Sequence, residues 1–275
     1  MTKTLAHGLP EVSLKKTSDH NSEATSDHTL LLRMALSLEY NRAYWENYRP
    51  ERTYENIAKV AFEERWFGNK SMSRIRLLLN NFRRRFDAYP QALNVLCKWR
   101  PTDARIRQNI CHWHLQLSDP IYRDFTGEFL VNRREHPKPR VDRNVTARWL
   151  ADRTGGKWSV ATLNRVANNL LSSAAEAGLL SCKPGTRTLT YPHVDDMSLA
   201  YLLYLLRNTD FKGSLLSNLY LISVGLRDGY LEQRLRRLPG LNFSRMGDLQ
   251  DFNWTYSDLE TWANHMFSIT LEDNT

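Results

Sequence analysis

The chain lacks the signatures of nucleotide, metal or serine chemistry. Its 275 residues contain no GxxxxGK[ST] or GxGxxG loop to cradle a phosphate, and neither HExxH nor GxSxG. No catalytic residue and no cofactor is expected. Cysteine is scarce: Cys97, Cys111 and Cys182 share no CxxC spacing, which suits reduced thiols better than a disulfide framework. In Cys111-His112-Trp113-His114 the two histidines are two residues apart, so on a helix they diverge, and no metal is expected. Long apolar runs are missing as well. The stretches 199–206 and 215–226 are interrupted by Asn208, Lys212, Ser217 and Asn218 and fall short of the roughly 20 residues that span a bilayer. The opening MTKTLAHGLPEVSLKK lacks the apolar core of a signal peptide. A soluble cytoplasmic protein is expected.

Positive charge is absent from the last thirty residues, 246–275, which hold six Asp/Glu and no Lys or Arg. It is gathered elsewhere. The formal net charge is +8; residues 54–110 carry twelve Lys/Arg against five Asp/Glu, and residues 133–165 nine against three. Arginine supplies 28 of the 38 cations, and its fork suits phosphate and guanine better than lysine does. Two basic segments are the footprint of a phosphate-binding surface. A basic surface paired to acids elsewhere has the same composition.

What is present is helical periodicity, and its clearest case lies in residues 141–191. A helix is predicted over 142–152 and broken by Gly155-Gly156. Ser159 stands where an N-cap belongs. Behind it Val160, Leu163, Val166, Ala167, Leu170, Leu171 and Ala174 mark one apolar face. Gly178 ends that helix. Leu180, Cys182, Leu189 and Tyr191 flank the turn Pro184-Gly185, as in a small hairpin. The order helix, turn, helix, hairpin predicts a winged helix-turn-helix whose second helix enters the DNA major groove. Lys157, Ser159, Thr162, Arg165, Asn168 and Asn169 are its candidate DNA contacts, with Lys183 and Arg187 beside the hairpin tip.

A second unit precedes it. YENIAKVAFEERW is amphipathic, Phe67-Gly68-Asn69-Lys70 turns, Ser71 or Ser73 caps, and Ile75, Leu78, Leu79, Phe82 and Phe86 form a stripe. Ser73, Arg74, Arg76, Asn80, Arg83, Arg84 and Arg85 are candidate DNA contacts on its other faces. No wing follows it. The fold expected is mainly α, with two helix-turn-helix units, the second winged by a small β-hairpin. Residues 1–28 read as a disordered tail, 29–135 as a helical domain with the first unit, 136–140 as a linker broken by two prolines, and 141–275 as the winged unit plus C-terminal helices. Further helices are expected over 195–207, 212–226 and 229–238, and a capping box at Ser257 opens the last one.

The run YRDFTGEFLVNR followed by WLADRTGGKWSVATLNRVANNLLSSAAEAGLLS resembles the BrxA family of bacteriophage exclusion (BREX) phage-defence systems. The likeness covers residues 54–191 and rests on Tyr122 to Phe125, Trp158, Ser159 and Glu176 to Leu180, with SMSRIRLLLNNFRRRF as the first unit. It implies two helix-turn-helix units, double-stranded DNA binding, no enzymatic activity, and work alongside other BREX proteins. The family once carried an inner-membrane label, which the missing transmembrane segment contradicts. A non-enzymatic DNA-binding subunit, with a monomer favoured, is therefore the first expectation. The alternatives are a protein-interaction scaffold, whose winged helix and acidic tail bind partners, and an RNA-binding protein.

Overall fold

Helix accounts for 58% of the described residues, in agreement with the mainly α expectation. A computed structural model describes residues 21–28, 30–183, 185–247 and 249–272. The first part runs β1 (Asn21–Ser22), a 3-10 turn at Leu30–Leu32, α1 (Leu38–Asn47), α2 (Tyr54–Glu63), α3 (Met72–Phe82), a π turn at Arg83–Asp87, α4 (Pro90–Trp99) and α5 (Ala104–Ser118). Then come α6 (Pro120–Asp124), a second π turn at Phe125–Phe129 and α7 (Leu130–Arg134). The later part holds β2 (Arg140–Val141), α8 (Arg143–Arg153), α9 (Val160–Glu176), β3 (Arg187–Thr188), α10 (Asp196–Arg207) and β4 (Thr209–Asp210). It closes with α11 (Leu219–Ser223), α12 (Asp228–Leu235), β5 (Leu241–Met246), β6 (Leu249–Trp254) and α13 (Leu259–Glu272).

Local chemistry sets most of these boundaries. Side chains of Ser71, Asp119, Asp142, Ser159 and Asp195 accept from backbone amides in the first turns of α3, α6, α8, α9 and α10, satisfying donors that a helix start leaves open. Asp258, not Ser257, caps α13 by accepting from the Thr261 amide at 2.8 Å. Gly178, at φ +73°, takes the left-handed conformation that ends α9. The π turn at Phe125–Phe129 brings Gly127 so close to α11 that a Cβ there would sit 2.7 Å from Leu219 Cβ.

Several expectations are corrected. One apolar cluster runs from Leu31 to Ala263, and α4 packs on α13, α5 on α10 and α9. Segment 136–140 is thus an exposed connection within one core rather than a divider of two. Its last residue, Arg140, is already in β2, which pairs antiparallel with β3. Most of the expected tail, residues 1–20, lies outside the described residues. Its end, 21–28, is held against the body: β1 pairs parallel with β4, the buried Arg123 guanidinium donates to Ala24 O at 2.7 Å and faces Glu23 at 3.5 Å, and Arg153 binds Asp27 at 2.9 Å. Buried polar partners, invisible to composition, order this stretch. Helix is confined to Leu219–Ser223 within 212–226 because Gly213 at φ +117° and the Asn218 cap start it late. A hairpin, β5–β6, occupies a stretch for which no element was expected.

Candidate nucleic-acid interface

Helices α8 and α9 are joined by a six-residue turn whose Gly155 and Gly156 adopt positive φ. Leu163, Val166, Ala167, Leu170, Leu171 and Ala174 of α9 are buried, so the stripe read from spacing faces the core. Val160 does not: it is 73% exposed at the first helical turn, where the stripe runs past the edge of the body. Beyond α9 a small hairpin forms: Leu180 bridges Leu189 antiparallel, Ser181 N donates to Thr188 O at 2.9 Å and Thr190 N to Leu179 O at 3.0 Å, and β3 pairs with β2 as well.

The outward face of α9 keeps Arg165 and Asn168 exposed, with Lys157 exposed in the preceding turn and Lys183 beyond the helix. Thr162 is half-buried, and Ser159 is engaged in capping, its Oγ accepting from Thr162 N at 3.3 Å. Arg187 donates to Leu171 O at 3.3 Å. Asn169 departs from expectation: its amide donates to Leu31 O, so it ties α9 to the 3-10 turn instead of facing solvent.

The first unit is built from α2 and α3 with Gly68 at φ +72° between them. Asn80 and Arg84 are exposed. Ser73 shares a hydroxyl contact with Ser71 at 3.0 Å. Arg76 meets Glu55 at 3.4 Å, both exposed, a pair of little energetic weight. Arg83 meets Asp87 at 3.4 Å and stacks 4.9 Å from the Tyr54 ring centroid. Arg74 donates to Arg33 O at 2.9 Å. Arg85 is buried, its guanidinium donating to Leu36 O at 2.8 Å and Ala35 O at 2.9 Å. Burial pulls its pKa down to about 10. It is a scaffold residue and cannot touch DNA from there, because two carbonyls already hold its fork.

Segment 31–38 is gripped from both units. Besides Arg74, Arg85 and Asn169, Ser173 Oγ accepts from Leu36 N at 3.0 Å, and Glu176 Oε2 accepts from Ser37 N at 2.8 Å and Leu38 N at 3.3 Å. Glu176 therefore caps α1 from a distance of 138 residues along the chain.

The residues that carried the family resemblance are scaffold in the same sense. The Tyr122 hydroxyl meets His112 Nδ1 at 2.9 Å, Arg123 also donates to Gln116 O at 2.8 Å, Asp124 binds Arg153 at 2.7 Å, and Phe125 lies 5.4 Å from Trp149. His112 and His114 are buried and diverge. His112 Nε2 meets Ser223 Oγ at 2.9 Å; His114 meets Arg85 O at 3.0 Å and the Tyr201 hydroxyl at 2.7 Å. Burial lowers their pKa values to about 3 and about 4, so both are neutral hydrogen-bonding groups. Among the described residues no group of three His, Cys, Asp or Glu is placed to hold a metal ion, and no helix is long and apolar enough to cross a membrane.

Fold and site together define a mainly helical protein with a basic, partly unengaged helix face. The BrxA family model matches residues 38–204, more than half of the chain, and the chain belongs to the BrxA family. Membership points to a role in a BREX phage-defence system and to other BREX proteins as partners. No curated protein matches it. A crystal structure of an uncharacterized protein from Magnetospirillum magneticum is similar, with a TM-score of 0.53 and 15% identity over 66% of this chain and 97% of that one. At that identity the likeness concerns the fold alone.

Proposed function

We propose that this BrxA-family chain is a double-stranded DNA-binding subunit of a BREX system, with no catalytic step of its own. In this reading α8 and α9 form a helix-turn-helix, the segment 180–189 its wing, and α2 and α3 a second helix-turn-helix. One observation carries the reading: α9 buries its apolar stripe from Leu163 to Ala174 and leaves Arg165 and Asn168 exposed on the other face, with Lys157 and Lys183 flanking it. Arg forks onto guanine, Asn onto adenine, and lysine onto phosphate. Exposed Val160 adds an apolar contact of the kind that fits a thymine methyl.

A gel-shift titration on duplex DNA over a range of salt tests this. Neutralising about six phosphates gives a log–log salt slope near −5. A slope near zero, or no shift at low salt, overturns the reading, and stronger competition by double-stranded RNA than by DNA redirects it to RNA. The scaffold reading keeps one supporting observation. The β5–β6 hairpin lies outside the family-matched residues and carries Met246 82% exposed and Leu249 74% exposed, an apolar tip suited to a protein partner.

A further inference from the structure

A cleft of about 470 Å³ opens between the start of α8, the middle of α9 and the segment 185–187. Arg143 and Asn144 line it from α8, Asn168 and Ser172 from α9, Thr186 and Arg187 from the wing side. Leu171 contributes apolar wall. Asp142 also reaches the rim, but its carboxylate is occupied in capping α8 through Val145 N at 2.9 Å.

These polar groups differ from most other arginines of the chain. Arg74, Arg76, Arg83, Arg85, Arg123 and Arg153 are all engaged by carbonyls or carboxylates. In the cleft, by contrast, the side chains of Arg143, Asn144, Asn168, Ser172 and Thr186 make no hydrogen bond or ion pair among the described residues. Only Arg187 has a partner, the Leu171 carbonyl at 3.3 Å, which leaves most of its five donors free. Guanidinium groups from two elements, two amides and two hydroxyls therefore converge on one space with most of their hydrogen-bonding capacity unused among the described residues. The group that satisfies such a set is an anion with several oxygens, since each fork pairs two of them and the amides and hydroxyls donate to the rest.

We propose that this cleft binds a phosphoryl group, held between Arg143 and Arg187. The phosphodiester of a strand laid along α9 and the phosphate of a free nucleotide present the same oxygens. The volume falls in the range of roughly 300–1,000 Å³ typical of small-molecule sites, so a mononucleotide is as well accommodated as a strand. With a strand as the source, the proposal rests on the DNA reading above; with a nucleotide it stands apart from it.

The test uses the full chain and Arg143→Gln, with Arg148→Gln as control, because Arg148 is exposed on the same helix but does not line the cleft. One arm titrates a 30-base-pair duplex across salt; the other titrates AMP without DNA by calorimetry. If the strand is the source, Arg143→Gln weakens duplex binding about tenfold at low salt and reduces the salt slope by about one, while Arg148→Gln does neither. If a nucleotide is the source, AMP binds the wild-type chain and the Arg148→Gln variant, and binding is lost in Arg143→Gln. An effect of equal size in both variants marks general electrostatics and overturns the cleft, as does indifference of both arms to Arg143→Gln. A wild-type chain that ignores the duplex sinks the DNA reading alone; the AMP arm then decides the cleft.

Discussion

Arg84 and Arg85 are neighbours in sequence with opposite fates. Arg84 is exposed, while Arg85 is 3% exposed and holds two carbonyls of segment 31–38. Replacing Arg85 with Ala leaves both buried acceptors without their donor, at a cost of about 2 kcal/mol or more. The expected result is a fall of several degrees in melting temperature for Arg85→Ala and almost none for Arg84→Ala, read by thermal denaturation. A reduced salt slope in DNA binding should belong to Arg84→Ala only. The buried histidines carry a pH prediction. Folding holds His112 and His114 neutral down to about pH 3 and about pH 4, whereas in the unfolded chain each takes up a proton near pH 6.5. Below that pH the unfolded state binds more protons, so stability is complete above about pH 6.5 and lost as the pH falls. Each histidine removes about 1.4 kcal/mol per pH unit across this window. Unfolding free energies measured from pH 7 to pH 5 should decline accordingly, and His112→Gln should flatten the curve. An unchanged slope in that variant would show that His112 is not held neutral.

Elements are where the sequence is most and least legible. Caps and stops are local, so Ser159, Asp119 and Gly178 are readable from a few neighbours and sit where spacing places them. The buried stripe of α9 is readable for the same reason. Arg85 was readable in part. It lies three residues after Phe82 and seven after Leu78, on the apolar stripe, but its charge argues for solvent, and only the carbonyls of segment 31–38 reconcile the two. Asn169 has no such local signal, because its partner Leu31 is 138 residues away. The β5–β6 hairpin lies within 241–254 and carried a local signal in the dipeptide Gly247-Asp248. The pairing of β2 with β3, by contrast, joins residues 46 apart, Val141 and Arg187, and depends on tertiary neighbours that no short window contains. Glu176 shows how far such coupling reaches. Glu176→Ala removes the acceptor for two amides at the start of α1, an N-cap loss of about 1–2 kcal/mol, while Glu176→Gln keeps an oxygen there and costs less. Denaturant melts of the two variants check the order. Gly127→Ala tests the π turn: its methyl meets Leu219 Cβ and backbone, so a loss of about 1–3 kcal/mol is expected.

On the scale of the whole molecule, the single apolar cluster among the described residues makes a definite prediction. Contacts of α4 with α13 and of α5 with α9 and α10 bind residues on both sides of segment 136–140. Thermal unfolding should therefore be a single transition, and chains cut within 136–140 should stay associated until they melt. Two separate transitions would restore the division into two domains. The pairing of β1 with β4 has a further consequence, in the order of assembly on the ribosome. Ser22 lies beside Asp210, 188 positions further on, a stretch that takes roughly 10–40 s to synthesise at about 5–20 residues per second. Through that interval β1 has no partner strand, and the Glu23 amide lacks its acceptor, Asp210 O. The strand that closes β1 is made 188 positions after it, so residues 21–24 emerge long before they find their place.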